Sequence, residues 1–113
     1  MKIIVTIMMQ RKKRTAPVFP KNRQVLTHLG ENILLACKRR GYTQALIAER
    51  TGLSRLTIRR IQQGEPTVSL GHYVAVLSVL GLVDDLAQVA NDDVLGQKLQ
   101  DIQALTGQKS RAG

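Results

Sequence analysis

The chain has 113 residues, a single cysteine, 3% aromatic residues and a formal net charge of +9. That length makes about one domain with a modest core. One cysteine excludes an internal disulfide, and His28 and His72 stand too far apart to suggest a metal site. No apolar run approaches the roughly 20 residues that span a bilayer, so no metal, cofactor or membrane is implied.

The charge is unevenly placed. Residues 1–64 hold 14 lysines and arginines against two acids, Glu31 and Glu49, whereas residues 65–113 hold three against six. The first part is therefore near +12 and the second near −3, which suggests one region facing a polyanion and another facing something else. Nucleic acid is the natural polyanion.

Residues 1–9 are rich in β-branched side chains, with Ile3, Val5 and Ile7 on one side of an expected strand over residues 2–9. Such a strand needs a partner, a second copy or another protein. The alternative is a frayed terminus or an upstream start, with Met8 or Met9 the true beginning. The apolar stretch is too short for a signal peptide and runs into a basic cluster, so a reducing cytosol is expected. That cluster is Arg11, Lys12, Lys13 and Arg14. Pro17 and Pro20 then forbid a continuous helix, which makes residues 10–22 a basic, flexible arm lying along phosphates, or else a solubilising tail.

From Arg23 to Arg40, Val25, Leu26, Leu29, Ile33, Ala36 and Cys37 recur every three to four residues, the stripe of an amphipathic helix ended by Gly41. Cys37 on that stripe reads as a small core residue rather than a reactive thiol.

The stretch the rest serves runs from Gln44 to Gly64, QALIAERTGLSRLTIRRIQQG. Thr43 caps its first helix, which places Gln44 in the first turn with donors directed outward toward phosphate. Ile47 and Ala48 lie on the inner face, and Gly52 ends the helix in a left-handed conformation. Leu53 fills the turn, Ser54 caps a second helix, Ile58 and Ile61 face inward, and Gly64 closes it. The exposed face of that second helix carries Arg55, Leu56, Thr57, Arg59, Arg60 and Gln63, with three guanidinium groups and no carboxylate. A major groove accepts such a face.

Ser69 is expected to cap a helix from Leu70 to Leu80, ended by Gly81, and Asp84 a last helix holding Leu86, Ala87, Val89 and Ala90. The apolar residues here exceed what one face can bury. Tyr73, Val76, Val79, Leu80, Leu82 and Leu86 are therefore expected at the interface of a two-fold dimer, the alternative being that all are core. In residues 92–113, Val94, Leu95, Leu99 and Ile102 have helical spacing interrupted by Gly96, which suggests either a short docking helix or a disordered end.

Residues 43–64 resemble the helix-turn-helix of the Cro and phage-repressor superfamily, the xenobiotic-response-element family of bacterial regulators. The resemblance extends over about residues 25–91. It implies an all-α, five-helix, lambda-repressor-like domain at residues 23–91, following the segment 1–22 and preceding a tail at 92–113. It also implies that Gln44 holds a phosphate, that Arg55, Leu56, Thr57 and Arg60 meet base edges, and that Gln63 touches the DNA backbone. Arg59 points nearer the backbone. Many relatives carry an arginine where Cys37 stands and a glutamate where Gln62 stands, which form an ion pair. Both charges are replaced together here, so neither is stranded. A narrower resemblance, over GEPTVSLGHYVAVLSVLGL at Gly64–Leu82 and the acids from Asp84 to Asp93, is to the HipB-like antitoxins. It implies an autoregulating repressor that binds its operator as a homodimer and neutralises a HipA-type kinase toxin. The alternative is a stand-alone or phage-type transcription regulator.

An enzyme is not expected, since no Ser/His/acid set, phosphate loop or carboxylate pair is placed in a foldable pocket, and the one cysteine lies on an apolar stripe. An RNA adaptor would need exposed aromatics for base stacking, and the chain has only Phe19, Tyr42 and Tyr73.

Overall fold

The computed structural model describes residues 18–107, in which six helices and no strand occur: α1 (Pro20–Arg39), α2 (Gln44–Thr51), α3 (Arg55–Gln62), α4 (Leu70–Leu80), α5 (Val83–Ala87) and α6 (Val94–Leu105). The all-α expectation holds: α1 to α5 are the five helices expected of the domain, and α6 is the short helix, one of the two alternatives for residues 92–113. The expected strand at residues 2–9 and the cluster Arg11, Lys12, Lys13 and Arg14 lie outside the described residues.

Contacts divide the chain after Gly81. In the first unit, α3 packs on α1 and α2, and α4 on α1 and α2. The core is built from Ile33, Ala36 and Cys37 of α1, Ile47 of α2, Ile58 and Ile61 of α3, and Tyr73, Val76, Leu77 and Leu80 of α4.

Helix α1 starts three residues earlier than expected. Pro20 occupies its first turn, where a missing N–H goes unused, so a residue expected to keep the chain extended instead opens the helix. Residues 20–22 thus belong to α1 rather than to an arm. Val25, read as part of the inward stripe, is 65% exposed, because the buried arc is centred on Gly30, Ile33, Ala36 and Cys37.

Gly30 does what no larger residue could. A Cβ added there would meet the Gly64 backbone nitrogen, and would stand 2.8 Å from the Gln62 carbonyl oxygen and 2.9 Å from the Gly64 Cα. A Cβ on Gly64, whose φ is +71°, would meet the Leu26 carbonyl and stand 2.7 Å from the Thr27 Cα. Backbone therefore lies on backbone where α1 crosses the end of α3.

On α4, the Ser69 Oγ accepts the His72 N–H at 3.2 Å, the cap read from sequence. Tyr73, Val76 and Leu80, expected at a dimer interface, are buried within their own protomer, 3%, 0% and 3% exposed. They close the core beneath α1 and α2, so a second copy cannot cover them. The Tyr73 hydroxyl donates to the Glu65 carbonyl at 2.8 Å, tying α4 to the loop after α3. Burial, reinforced by the Glu65 charge, pushes the Tyr73 phenol above its usual pKa.

The second unit holds α5 and α6. Asp84 was expected to cap α5, but Leu82 is the N-cap and supplies no side-chain bond. Asp84 and Asp85 lie instead in the first turn, where carboxylates meet the positive end of the helix dipole. The helix stops at Ala87; Val89 is 70% exposed, and Ala90 takes a left-handed φ of +67°. An aspartate does cap the next helix, for the Asp93 Oδ1 accepts the Gly96 N–H at 3.0 Å. Helix α6 continues through Gly96 and buries no residue.

Candidate nucleic-acid interface

Three capping devices set the angle between α2 and α3. The Thr43 Oγ1 accepts the Leu46 N–H at 3.1 Å at the start of α2. At its end, Gly52 has φ +76° and donates its N–H to the Ala48 carbonyl at 2.9 Å. The Ser54 Oγ then accepts the Thr57 N–H at 3.0 Å and lies 2.9 Å from the Thr57 Oγ1. Each satisfies backbone groups that a helix end leaves orphaned, a contribution of about 1 kcal/mol per cap. Between them the Thr51 hydroxyl donates to the Ile47 carbonyl at 2.7 Å and accepts the Leu53 N–H at 3.2 Å, bracing the turn.

With α3 so anchored, its faces separate cleanly. Ile58, Ile61 and Gln62 are buried. At about 100° per residue, Arg55, Arg59, Gln63, Leu56 and Arg60 fall in that order within one arc of roughly 140°. All five are exposed. Thr57 lies about 60° beyond the Arg60 edge of the arc, half-buried, its hydroxyl engaged with the capping Ser54. Gln44, at the start of α2, joins Arg55, Leu56 and Arg59 around an open cleft of about 250 Å³. Gln44 is thus brought beside one end of the arginine arc, with Arg60 at the opposite edge.

Sequence reasoning missed two features of this site, the partner of Gln44 and the partner of Arg50. The Gln44 Nε2 donates to the Gln62 Oε1 at 3.0 Å, so the residue expected to reach outward is also held from within. Gln62 also neighbours Cys37, as the resemblance implies for these two positions, and burial pushes the Cys37 thiol above its usual pKa against the opposing pull of the Gln62 amide and of Arg40. The Arg50 guanidinium sits 5.0 Å from the centroid of the Tyr42 ring, a cation–π contact worth about 0.5–1 kcal/mol at an exposed site. The first depends on which helices cross, and the turn signal at Gly41 did not hint at the second.

The fold and the basic arc together define a helix-turn-helix domain. A family model described as a helix-turn-helix domain matches residues 28–90, more than half of the chain, which therefore belongs to that family. No curated protein and no solved structure matches. The family carries DNA binding and transcription regulation as its class of function. Among the described residues no helix is long and apolar enough to cross a membrane, and no group of His, Cys, Asp or Glu is arranged to hold a metal ion.

Proposed function

We propose that the chain is a sequence-specific repressor that inserts α3 into a major groove, binds its operator as a homodimer, and acts as the antitoxin of a HipA-type kinase toxin. The observation that carries the DNA reading is the exposed arc of Arg55, Arg59, Gln63, Leu56 and Arg60 on a helix whose other side is buried. Arg55 and Arg60 each match the acceptor pair O6 and N7 of guanine, and Leu56, 46% exposed, offers an apolar contact to a thymine methyl. Gln44 and the free N–H groups at the start of α2 serve a phosphate, with Gln63 and Arg59 nearer the backbone. Ser54 and Thr57 are first the frame of the recognition helix. The basic cluster Arg11, Lys12, Lys13 and Arg14 adds phosphate contacts that carry no sequence information.

The homodimer rests on the residues of the expected interface that their own protomer leaves partly open, Val79, Leu82 and Leu86, each half-buried. Two-fold symmetry would then place two copies of α3 about one helical turn apart on DNA. The antitoxin reading rests on the resemblance over Gly64–Leu82 and on the acids of the second unit, which suit a protein partner better than DNA. A stand-alone regulator is the second reading, favoured by the family match itself, which describes the DNA-binding domain alone.

Titration of a selected duplex and a scrambled one at two salt concentrations tests the DNA reading. Arg55→Ala or Arg60→Ala is expected to weaken the selected duplex about 5- to 150-fold while changing the scrambled one far less. Lys12→Ala should weaken both and reduce the salt slope. An Arg55→Ala variant that binds both duplexes as the wild type does removes Arg55 from the interface. Light scattering that gives a stable monomer at micromolar concentration overturns the dimer. Failure to co-purify with the product of an adjacent kinase-like gene favours the stand-alone regulator.

A further inference from the structure

Among the described residues, Gln62 is the one buried polar side chain, 7% exposed, and it hangs from the last turn of α3. Its Oε1 accepts the Gln44 Nε2–H, a bond that spans 18 positions of sequence and joins the end of one helix to the start of another. A primary amide has two N–H donors and one carbonyl. With one N–H given to Gln62, Gln44 keeps the second N–H and its carbonyl for the cleft it shares with Arg55, Leu56 and Arg59. Left to itself, a glutamine at a half-exposed helix start would sample several rotamers.

We infer that Gln62 is a positioning residue for DNA: from within the core it holds the Gln44 side chain in one rotamer, so that the second Gln44 N–H meets a backbone phosphate beside the free N–H groups of α2. This rests on the DNA-binding reading of the same face. Gln62 touches no nucleic acid itself. An amide suits the position because its carbonyl oxygen accepts the Gln44 hydrogen bond while the group itself carries no charge. Its neighbour Cys37 is equally uncharged, being a buried thiol. Sequence alone suggests only that a charged pair has been lost here; the structure assigns the replacement a task at the surface.

The test uses the full-length chain and a duplex selected by the wild-type protein from a random pool, read by fluorescence anisotropy against a scrambled duplex. Gln44→Ala is expected to weaken the selected duplex by about 12- to 160-fold, the range for one hydrogen bond to a charged group, and Gln62→Met by a measurable part of that loss. The double variant should be no weaker than Gln44→Ala alone, because Gln62 acts only through Gln44. Phosphate ethylation interference should lose the same phosphate in both single variants. Gln62→Glu keeps an acceptor of nearly the same shape, so its ethylation pattern should retain that phosphate, and circular dichroism of each variant establishes that it is folded. Additive losses in the double variant, a Gln62→Met protein that binds as the wild type does, or loss of the phosphate in folded Gln62→Glu overturns the inference while leaving the DNA reading intact. A wild-type protein that does not distinguish selected from scrambled duplex overturns the DNA reading and this inference with it.

Discussion

Replacing Gly30 by alanine sets two effects of opposite sign against each other. Helix propensity alone favours the change, since alanine in a helix interior is about 0.5–1 kcal/mol better than glycine. Packing opposes it. The added Cβ would meet backbone atoms of Gln62 and Gly64, two of them at 2.8 and 2.9 Å, and backbone cannot rotate aside as a side chain can. Restoring ordinary contact near 3.5–4 Å means moving α1 off the end of α3 by about 1 Å. Overpacking of this kind costs about 1–3 kcal/mol, so the net expectation is a loss of roughly 1–2 kcal/mol and a melting temperature lower by roughly 5–15 °C. Gly71→Ala is the control, because the nearest group to its Cβ is the Ser69 Oγ at 3.9 Å. That change should stabilise by about 0.4–1 kcal/mol. Urea and thermal denaturation of the two variants beside the wild type settle the matter. A Gly30→Ala protein at least as stable as wild type would refute the backbone contact.

Ser54→Ala removes the cap of α3 and should cost about 0.5–2 kcal/mol in denaturant unfolding, with a larger loss of specific than of non-specific DNA binding. Stability should also decline at alkaline pH. Cys37 and Tyr73 both have folded pKa values raised above the ordinary 9.0 and 10.0, so the folded state holds protons that the unfolded chain has lost. Their contribution is complete below about pH 9 and is lost as pH rises through the folded values. Urea midpoints between pH 7 and 11 should fall above pH 9, and Cys37→Ala should delay the onset toward pH 10; a flat profile contradicts the burial argument. Arg50→Ala, which removes the stack on Tyr42, should lower stability by no more than about 1 kcal/mol.

Local chemistry was the legible part of this fold. Thr43, Ser54 and Ser69 cap where their spacing from the following apolar residues places them, Gly52 takes the left-handed φ expected of it, and Gly64 and Gly81 follow the ends of their helices as expected, also with left-handed φ. These signals involve residues within one turn of each other, which is why a sequence displays them. Misreadings arose wherever two local rules competed. Pro20 is both a helix breaker and a good first-turn residue, and Asp84 is both a cap and a first-turn acid. Tyr73, Val76 and Leu80 look like surplus because α4 has more apolar residues than a half-buried helix needs, yet packing on both α1 and α2 buries them. What depends on the crossing of distant helices left no local trace. Gly30 looks like any helix-interior glycine until Gly64 is seen beneath it, and Gln44 and Gln62 are merely two glutamines until their helices meet.

The division of labour on α3 bears on how such a regulator changes its target. Ile58, Ile61 and Gln62 anchor the helix, whereas Arg55, Leu56, Arg59, Arg60 and Gln63 are exposed and contribute little to holding it in place. Substitutions at exposed positions of this kind usually alter stability by less than about 0.5 kcal/mol. A duplicated copy of the gene can therefore acquire a new preferred DNA sequence through these five positions one at a time, each intermediate remaining folded.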